Sequence, residues 1–378
     1  MLIAIGVFLF ILSCVSVVEK KKFLVLTSVI LVGLWLLASL RYGNGSDYFS
    51  YAYIYEYMPL TISEAFNSQL HSEIGFKMLI VGAKNLGLSY QAFITVLSAV
   101  IMFLIGKTII KESPLPVVSV TIFYYVYFMI YPMSGIRQGL ALAVVIYAFT
   151  QFFMKKKHLR FILAVSLAAT VHLGALAILL AYLIPILIRY KGLRNVLGVI
   201  AVLYVLLANI TNLNYTVLVQ VLGLWQYSGY FDSLATPIII SIVSKLMLYA
   251  VVLAFYLMNK DEISADEKFY FYMYTIGTLI YLTFANAPIA ARLLDYFTVF
   301  EIILIPTLIA KTRHKNLVPL STILVFSLFS MIFIKDLNSF TYEQAYYEKG
   351  FTNYRYFHIY DREEKNQYKP FEELEFLL

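Results

Sequence analysis

Apolar residues come in long runs separated by short polar punctuation, from Leu2 almost to Ile334. A run of roughly 20 residues crosses about 30 Å of hydrocarbon at 1.5 Å per residue. The runs are continuous, whereas a transmembrane barrel needs short alternating segments. The pattern predicts helices over residues 2–18 and 23–40, with Glu19, Lys20, Lys21 and Lys22 between them. Three lysines belong on the inner side of a membrane, which puts the N-terminus and Arg41 outside. Residues 41–72 read as a polar outer loop, whose Tyr48, Tyr51, Tyr53, Tyr55 and Tyr57 suit a membrane interface. Residues 73–88 are short for a span and carry Lys77 and Lys84, which predicts an interfacial or re-entrant helix. Residues 90–110 run inward and 115–131 return. Ile136, Arg137 and Gln138 then open a helix at the outer face that ends inside at Lys155, Lys156 and Lys157.

The next run breaks the alternation. Residues 161–188 are apolar throughout, yet both ends are basic, with Lys155–Lys157 and Arg160 before and Arg189, Lys191 and Arg194 after. One straight crossing would place one basic cluster outside, and two full crossings need about 40 residues plus a turn. The economical solution is a helical hairpin or broken helix that turns near His172, Leu173 and Gly174; one long tilted helix is the alternative. Irregular backbone at membrane depth is tolerated only where protein or a wet cavity surrounds it.

Further spans are expected over 196–210, 237–258, 269–286, 293–310 and 318–334. An outer loop is expected at 211–236, a charged inner loop at 259–268 and an outer turn at 287–292. Residues 1–334 therefore read as a single transmembrane domain. The polar, tyrosine-rich tail 335–378 falls on the outer side, and no internal repeat is obvious.

Composition agrees with this reading. Hydrophobic residues make up 61% and charged residues 13%, against about 25% charged in a soluble domain. The net charge of +7 is spread over short interhelical loops, so it encodes orientation and excludes a nucleic-acid surface. The single Cys14 excludes an internal disulfide and a cysteine metal cluster. The first run lacks a basic n-region and a small-residue cleavage site, so it is expected to remain as the first helix.

Loop charges alone bring Arg41, Asp47, Arg137, Gln138, Arg292 and Asp295 to the outer ends of helices, with His172 approaching from within. An ionisable residue inside an apolar run costs about 2.5–3.5 kcal/mol at the helix centre and marks a functional candidate. Arginines on the outer side run against the usual bias. Their planar fork suits phosphate, and the anion available there is a lipid-linked phosphate or pyrophosphate. Each residue also has a structural reading: Arg41 as a snorkelling anchor, Arg292 as the partner of Asp295 one turn away, Asp47 as turn chemistry, and His172 as a donor to a neighbouring carbonyl.

The ordered set Arg41-Tyr-Gly-x-Gly-x-Asp47-Tyr48, Glu73-Ile-Gly75-Phe76, Ile136-Arg137-Gln138-Gly139-Leu140-Ala141, Ala169-Thr-Val-His172 and Arg292-Leu-Leu-Asp295-Tyr296-Phe297 resembles the EpsG family of Wzy-like bacterial polysaccharide polymerases. It covers roughly residues 41–297. Ile74 departs from the proline often found there. The resemblance implies an all-α polytopic protein of the bacterial cytoplasmic membrane, with about 10–12 transmembrane helices, re-entrant or broken segments and a GT-C-like architecture. It implies a polymerase of O-antigen, capsule or exopolysaccharide that passes a growing glycan from undecaprenyl pyrophosphate to a lipid-linked repeat unit at the outer leaflet. A flippase and a chain-length regulator are the implied protein partners.

On that reading Arg137 and Arg292, with Arg41 third, hold the departing pyrophosphate. His172 takes the proton of the attacking hydroxyl, with Asp47 or Glu73 as alternatives. Tyr48, Glu73, Gln138, Asp295 and Tyr296 are expected to bind substrate. No metal or cofactor is expected. A lipid-linked oligosaccharide flippase, an O-antigen ligase and a membrane O-acyltransferase are the competing functions.

Overall fold

The chain is an all-α polytopic membrane protein. A computed structural model describes residues 1–190, 192, 195, 198, 239–283, 288–312, 317–343 and 356–361. The expected span over 196–210 and loop over 211–236 lie outside the described residues. Two compact units emerge, one of Met1–Ala175 with His314–Leu378 and one of Leu176–Arg313.

In the first unit, α1 (Leu2–Glu19) ends at Lys20, whose left-handed φ of 53° stops the helix. α2 (Leu24–Ser39) follows the basic turn. α6 (Tyr90–Glu112) begins where the Ser89 side chain accepts the Ala92 N–H at 3.2 Å. α7 (Pro116–Phe123) takes proline in its first turn, where a missing N–H costs nothing, and continues as a π-turn to Phe128. α8 (Ile136–Ala148) likewise ends in a π-turn, Phe149–Phe153. α9 (His158–Val171) runs back along α8. α15 (Leu317–Glu343) packs on α1 and the first π-turn.

Small hydroxyls let these helices approach. Ser13 meets Thr121 at 2.8 Å and Ser39 meets Ser98 at 3.3 Å, both buried, which is how membrane helices associate when apolar burial against lipid gives little preference. The alternation of directions leaves Lys20, Lys21, Lys22, Lys107, Lys111, Lys155, Lys156, Lys157 and Arg160 towards one end of this unit. The opposite end carries Arg41, the start of α6 and the start of α8.

The segment 41–72 differs from the expected loop. It holds α3 (Tyr48–Tyr57) and α4 (Ile62–Asn67), the latter closed by a reciprocal bond pair between Thr61 and Glu64. Tyr48, Tyr51 and Tyr55 are buried, so they line the inner face of α3 instead of anchoring an interface. The expected short helix after it is α5 (Ile74–Asn85), packed on α4 and α9. The long apolar run of 161–188 is interrupted: α9 stops at Val171, His172 is extended with φ −151° and ψ 112°, and a 3-10 helix Leu173–Leu183 precedes α10 (Ile184–Arg189).

In the second unit, α11 (Ile239–Met258), α12 (Ala265–Thr283), α13 (Pro288–Thr298) and α14 (Glu301–Lys311) pack around α12 and α14. α12 starts at a capping box in which Ser264 and Glu267 exchange backbone bonds. Gly277 lets α12 press on Phe297, since a Cβ there would sit 2.9 Å from the Phe297 Cβ. The turn expected over 287–292 is helical from Pro288 onward, because proline is well placed in a first helical turn.

Candidate active site

The site is built at the N-terminus of α8. The preceding turn, Tyr131–Ser134, is contacted by the loop that follows α2. Gly45, at φ 96°, lies so close that a Cβ would fall 2.2 Å from the Met133 carbonyl oxygen. Ser46 Oγ then reaches Ser134 Oγ at 2.8 Å and donates to Asp47 Oδ1 at 3.1 Å. A Cβ on Gly135, the residue capping α8, would be 3.9 Å from Asp47 Oδ2. Asp47 therefore stands beside the positive end of a helix dipole. Gly139 permits the close return of the chain, since its Cβ would meet the Tyr131 Cβ at 2.9 Å. Gln138 is buried and donates to the Tyr131 hydroxyl at 3.1 Å.

Arg137, in the first turn of α8, points to the start of α5. Its Nη1 lies 2.7 Å from Glu73 Oε2, with side chains 15% and 26% exposed. Ser72 Oγ is 3.5 Å from the same nitrogen. The ion pair is held by charge and proximity, not by an aligned hydrogen bond, and the buried Arg137 Nε has no hydrogen-bond partner among the described residues. Glu73 also accepts the Leu173 backbone N–H at 3.3 Å. One carboxylate thus joins Arg137 to the residue after the helix break at His172. Gly75 makes this junction: its Cβ would lie 2.7 Å from the Thr170 carbonyl oxygen, so α5 touches α9 backbone to backbone.

His172 reaches this end of the unit on α9 alone. Fourteen residues rise about 21 Å. The break at His172, in the broken-helix form expected for 161–188, brings the Leu173 backbone N–H onto Glu73. His172 is half-buried.

Arg41 is 1% exposed. Its Nη1 donates to the Ala38 carbonyl, and its guanidinium carbon sits 5.9 Å from the Tyr48 ring centre. Tyr48 donates to Gln91 Oε1 at 2.9 Å and is 4% exposed. Above them lies a segment that sequence reasoning missed. Residues 356–361 return from the tail: Tyr42 N–H donates to Phe357 O, Ile359 N–H to Leu40 O, and Asn44 Nδ2 to Phe357 O at 2.7 Å. Phe357 is fully buried, and Tyr356 donates to Leu37 O at 2.7 Å. Burial raises the Tyr356 phenol above its ordinary range, and the charge of Arg41 opposes the shift. No local pattern in 335–378 announces this docking.

Arg292, Asp295 and Tyr296 belong to the second unit and to α13. The Arg292 side chain lies outside the described residues. Asp295 Oδ1 accepts from Thr298 Oγ1 at 3.4 Å, and Tyr296 is fully buried.

Among known proteins, the model of the EpsG family matches residues 23–356. No curated protein and no solved structure matches the chain.

Proposed function

We propose that this chain, which belongs to the EpsG family and shares its general polysaccharide-polymerase role, transfers a growing glycan from undecaprenyl pyrophosphate to the terminal sugar of a second lipid-linked repeat unit. The lysine-rich end of the first unit is the cytoplasmic end by charge bias. The end with Arg137 is then the outer face of the bacterial inner membrane.

One observation carries the reading. Arg137 is part-buried and held by Glu73, and its buried Nε has no hydrogen-bond partner among the described residues. In the step proposed, an acceptor hydroxyl oxygen bonds to the anomeric carbon while that carbon's bond to the pyrophosphate oxygen breaks. The electron pair leaves with the pyrophosphate lipid. A guanidinium fixed beforehand binds the developing charge without reorganising. The hydroxyl proton passes to a base. Glu73 is already ion-paired with Arg137 and accepts the Leu173 N–H, so it is a positioning residue, and His172 or Asp47 remains for the proton. Arg292 stands as a second guanidinium on sequence grounds alone.

The test is a deletion in the source strain, complemented with Arg137→Ala or Arg137→Lys and read as a glycan ladder with membrane protein levels alongside. The expected result is single-repeat product with Arg137→Ala at normal protein level. Wild-type chain length in that variant removes Arg137 from the reaction. In the deletion itself, intermediates held on the inner leaflet would instead assign a flippase. Full-length polymer left on its lipid carrier would assign a ligase.

A further inference from the structure

Between α2 and α6 runs a groove that the proposed reaction does not use. Its volume is about 600 Å³, and Leu31, Val32, Trp35, Met102 and Phe103 form its walls. Gly106 keeps it open at the base: a Cβ there would come 2.8 Å from Leu31 Cδ1. Trp35 is fixed by its Nε1–H on the Thr95 carbonyl at 3.2 Å. The groove is apolar along its length and changes character at one end, where Lys107 and Lys111 border it. Both lysines are exposed. Lys107 Nζ lies 5.5 Å and 5.3 Å from the ring centres of Phe103 and Tyr147. Lys111 donates to Gln151, whose Nε2 donates to Glu112 Oε1 at 2.7 Å, so the adjacent carboxylate is engaged by an amide.

We propose that this groove holds one acyl chain of an anionic phospholipid, with its phosphate against Lys107 and Lys111. The lipid comes from the leaflet at the lysine-rich end of the first unit. An apolar channel on a membrane-embedded surface takes hydrocarbon, and two ammonium groups at its mouth select the charge of the head group. A basic residue near a membrane surface favours an anionic lipid about fivefold per charge, so the pair discriminates against zwitterionic lipid by at least that factor. The site is independent of Arg137 and of the polymerase reading.

Trp35 is the reporter. With Trp225→Phe it becomes the sole tryptophan of the full chain. The protein is reconstituted in phosphatidylcholine vesicles containing a minor fraction of brominated phosphatidylglycerol or, separately, brominated phosphatidylcholine. Brominated phosphatidylglycerol is expected to quench Trp35 with a relative affinity about fivefold higher or more. Lys107→Gln with Lys111→Gln should remove that preference and leave quenching by brominated phosphatidylcholine unchanged. Equal quenching by the two lipids in the unaltered groove overturns the proposal. So does the absence of quenching by either, which is the result for a groove filled by a second copy of the chain. If the double variant fails to insert, native mass spectrometry of the unaltered protein decides. Selective retention of phosphatidylglycerol supports the site, and its absence from the released lipids overturns it.

Discussion

Removing Glu73 tests the geometry at its most connected point. At 2.7 Å and an effective dielectric of about 20, the gross Coulomb attraction to Arg137 is about 6 kcal/mol. Desolvation cancels much of that. Exposed pairs contribute about 0–1 kcal/mol and breaking a buried pair costs about 3–5 kcal/mol. Side-chain exposures of 15% and 26% place this pair between those limits, at a coupling of about 2 kcal/mol. A double-mutant cycle of Glu73→Gln, Arg137→Gln and both together, on purified protein in reversible mixed-micelle denaturation, should therefore be non-additive by about that amount. In the glycan assay Glu73→Gln leaves the guanidinium in place but loosens it. A loss of 2 kcal/mol in transition-state binding corresponds to about 30-fold slower polymerisation, with Glu73→Asp restoring part of it. Additivity within about 0.5 kcal/mol, together with an unaltered ladder in Glu73→Gln, would refute the view that this carboxylate positions Arg137.

Three further outcomes follow from close contacts. Gly75→Ala forces a Cβ to 2.7 Å from the Thr170 carbonyl oxygen and should destabilise the protein by about 1–3 kcal/mol, read as a lower melting temperature; Gly82→Ala, with nothing within 4 Å, should be neutral or stabilising by up to about 1 kcal/mol. Gly45→Ala combines a φ of 96° with a 2.2 Å approach to Met133; it should shorten the glycan ladder, with site-directed crosslinking between positions 46 and 134 reporting loss of the contact. Phe357→Ala empties a fully buried position at a cost of about 3–5 kcal/mol, and limited proteolysis should then cut the tail near residues 356–361 faster than in the parent.

Much of the fold was legible in the chain because a bilayer imposes a simple rule. Backbone groups in hydrocarbon must bond internally, so an apolar run of the right length becomes a helix whatever its neighbours do. α1, α2, α6 and α11 follow their runs closely, whereas the run 293–310 is divided between α13 and α14. The helix in residues 48–57 carried a readable signal that the tyrosine count obscured. Tyr48, Tyr51 and Tyr55 stand at i, i+3 and i+7, one face of a helix, and that face is buried. The break at His172 was legible from the basic flanks, but its consequence was not. Charge bias reports which side a loop occupies and says nothing about the depth at which a helix stops.

What the sequence determined by itself was class and membership: helices from apolar length and the family from its ordered motifs. The tertiary structure alone decided which residues meet. Glu73 pairs with Arg137 across 64 positions of sequence and accepts the Leu173 N–H across 100. Phe357 reaches Asn44 across 313. Such contacts depend on glycines that admit backbone to backbone, at 45, 75 and 139, and on how helices stack laterally. Hydrophobic length carries no information about lateral order, because every lipid-facing side looks alike to the chain.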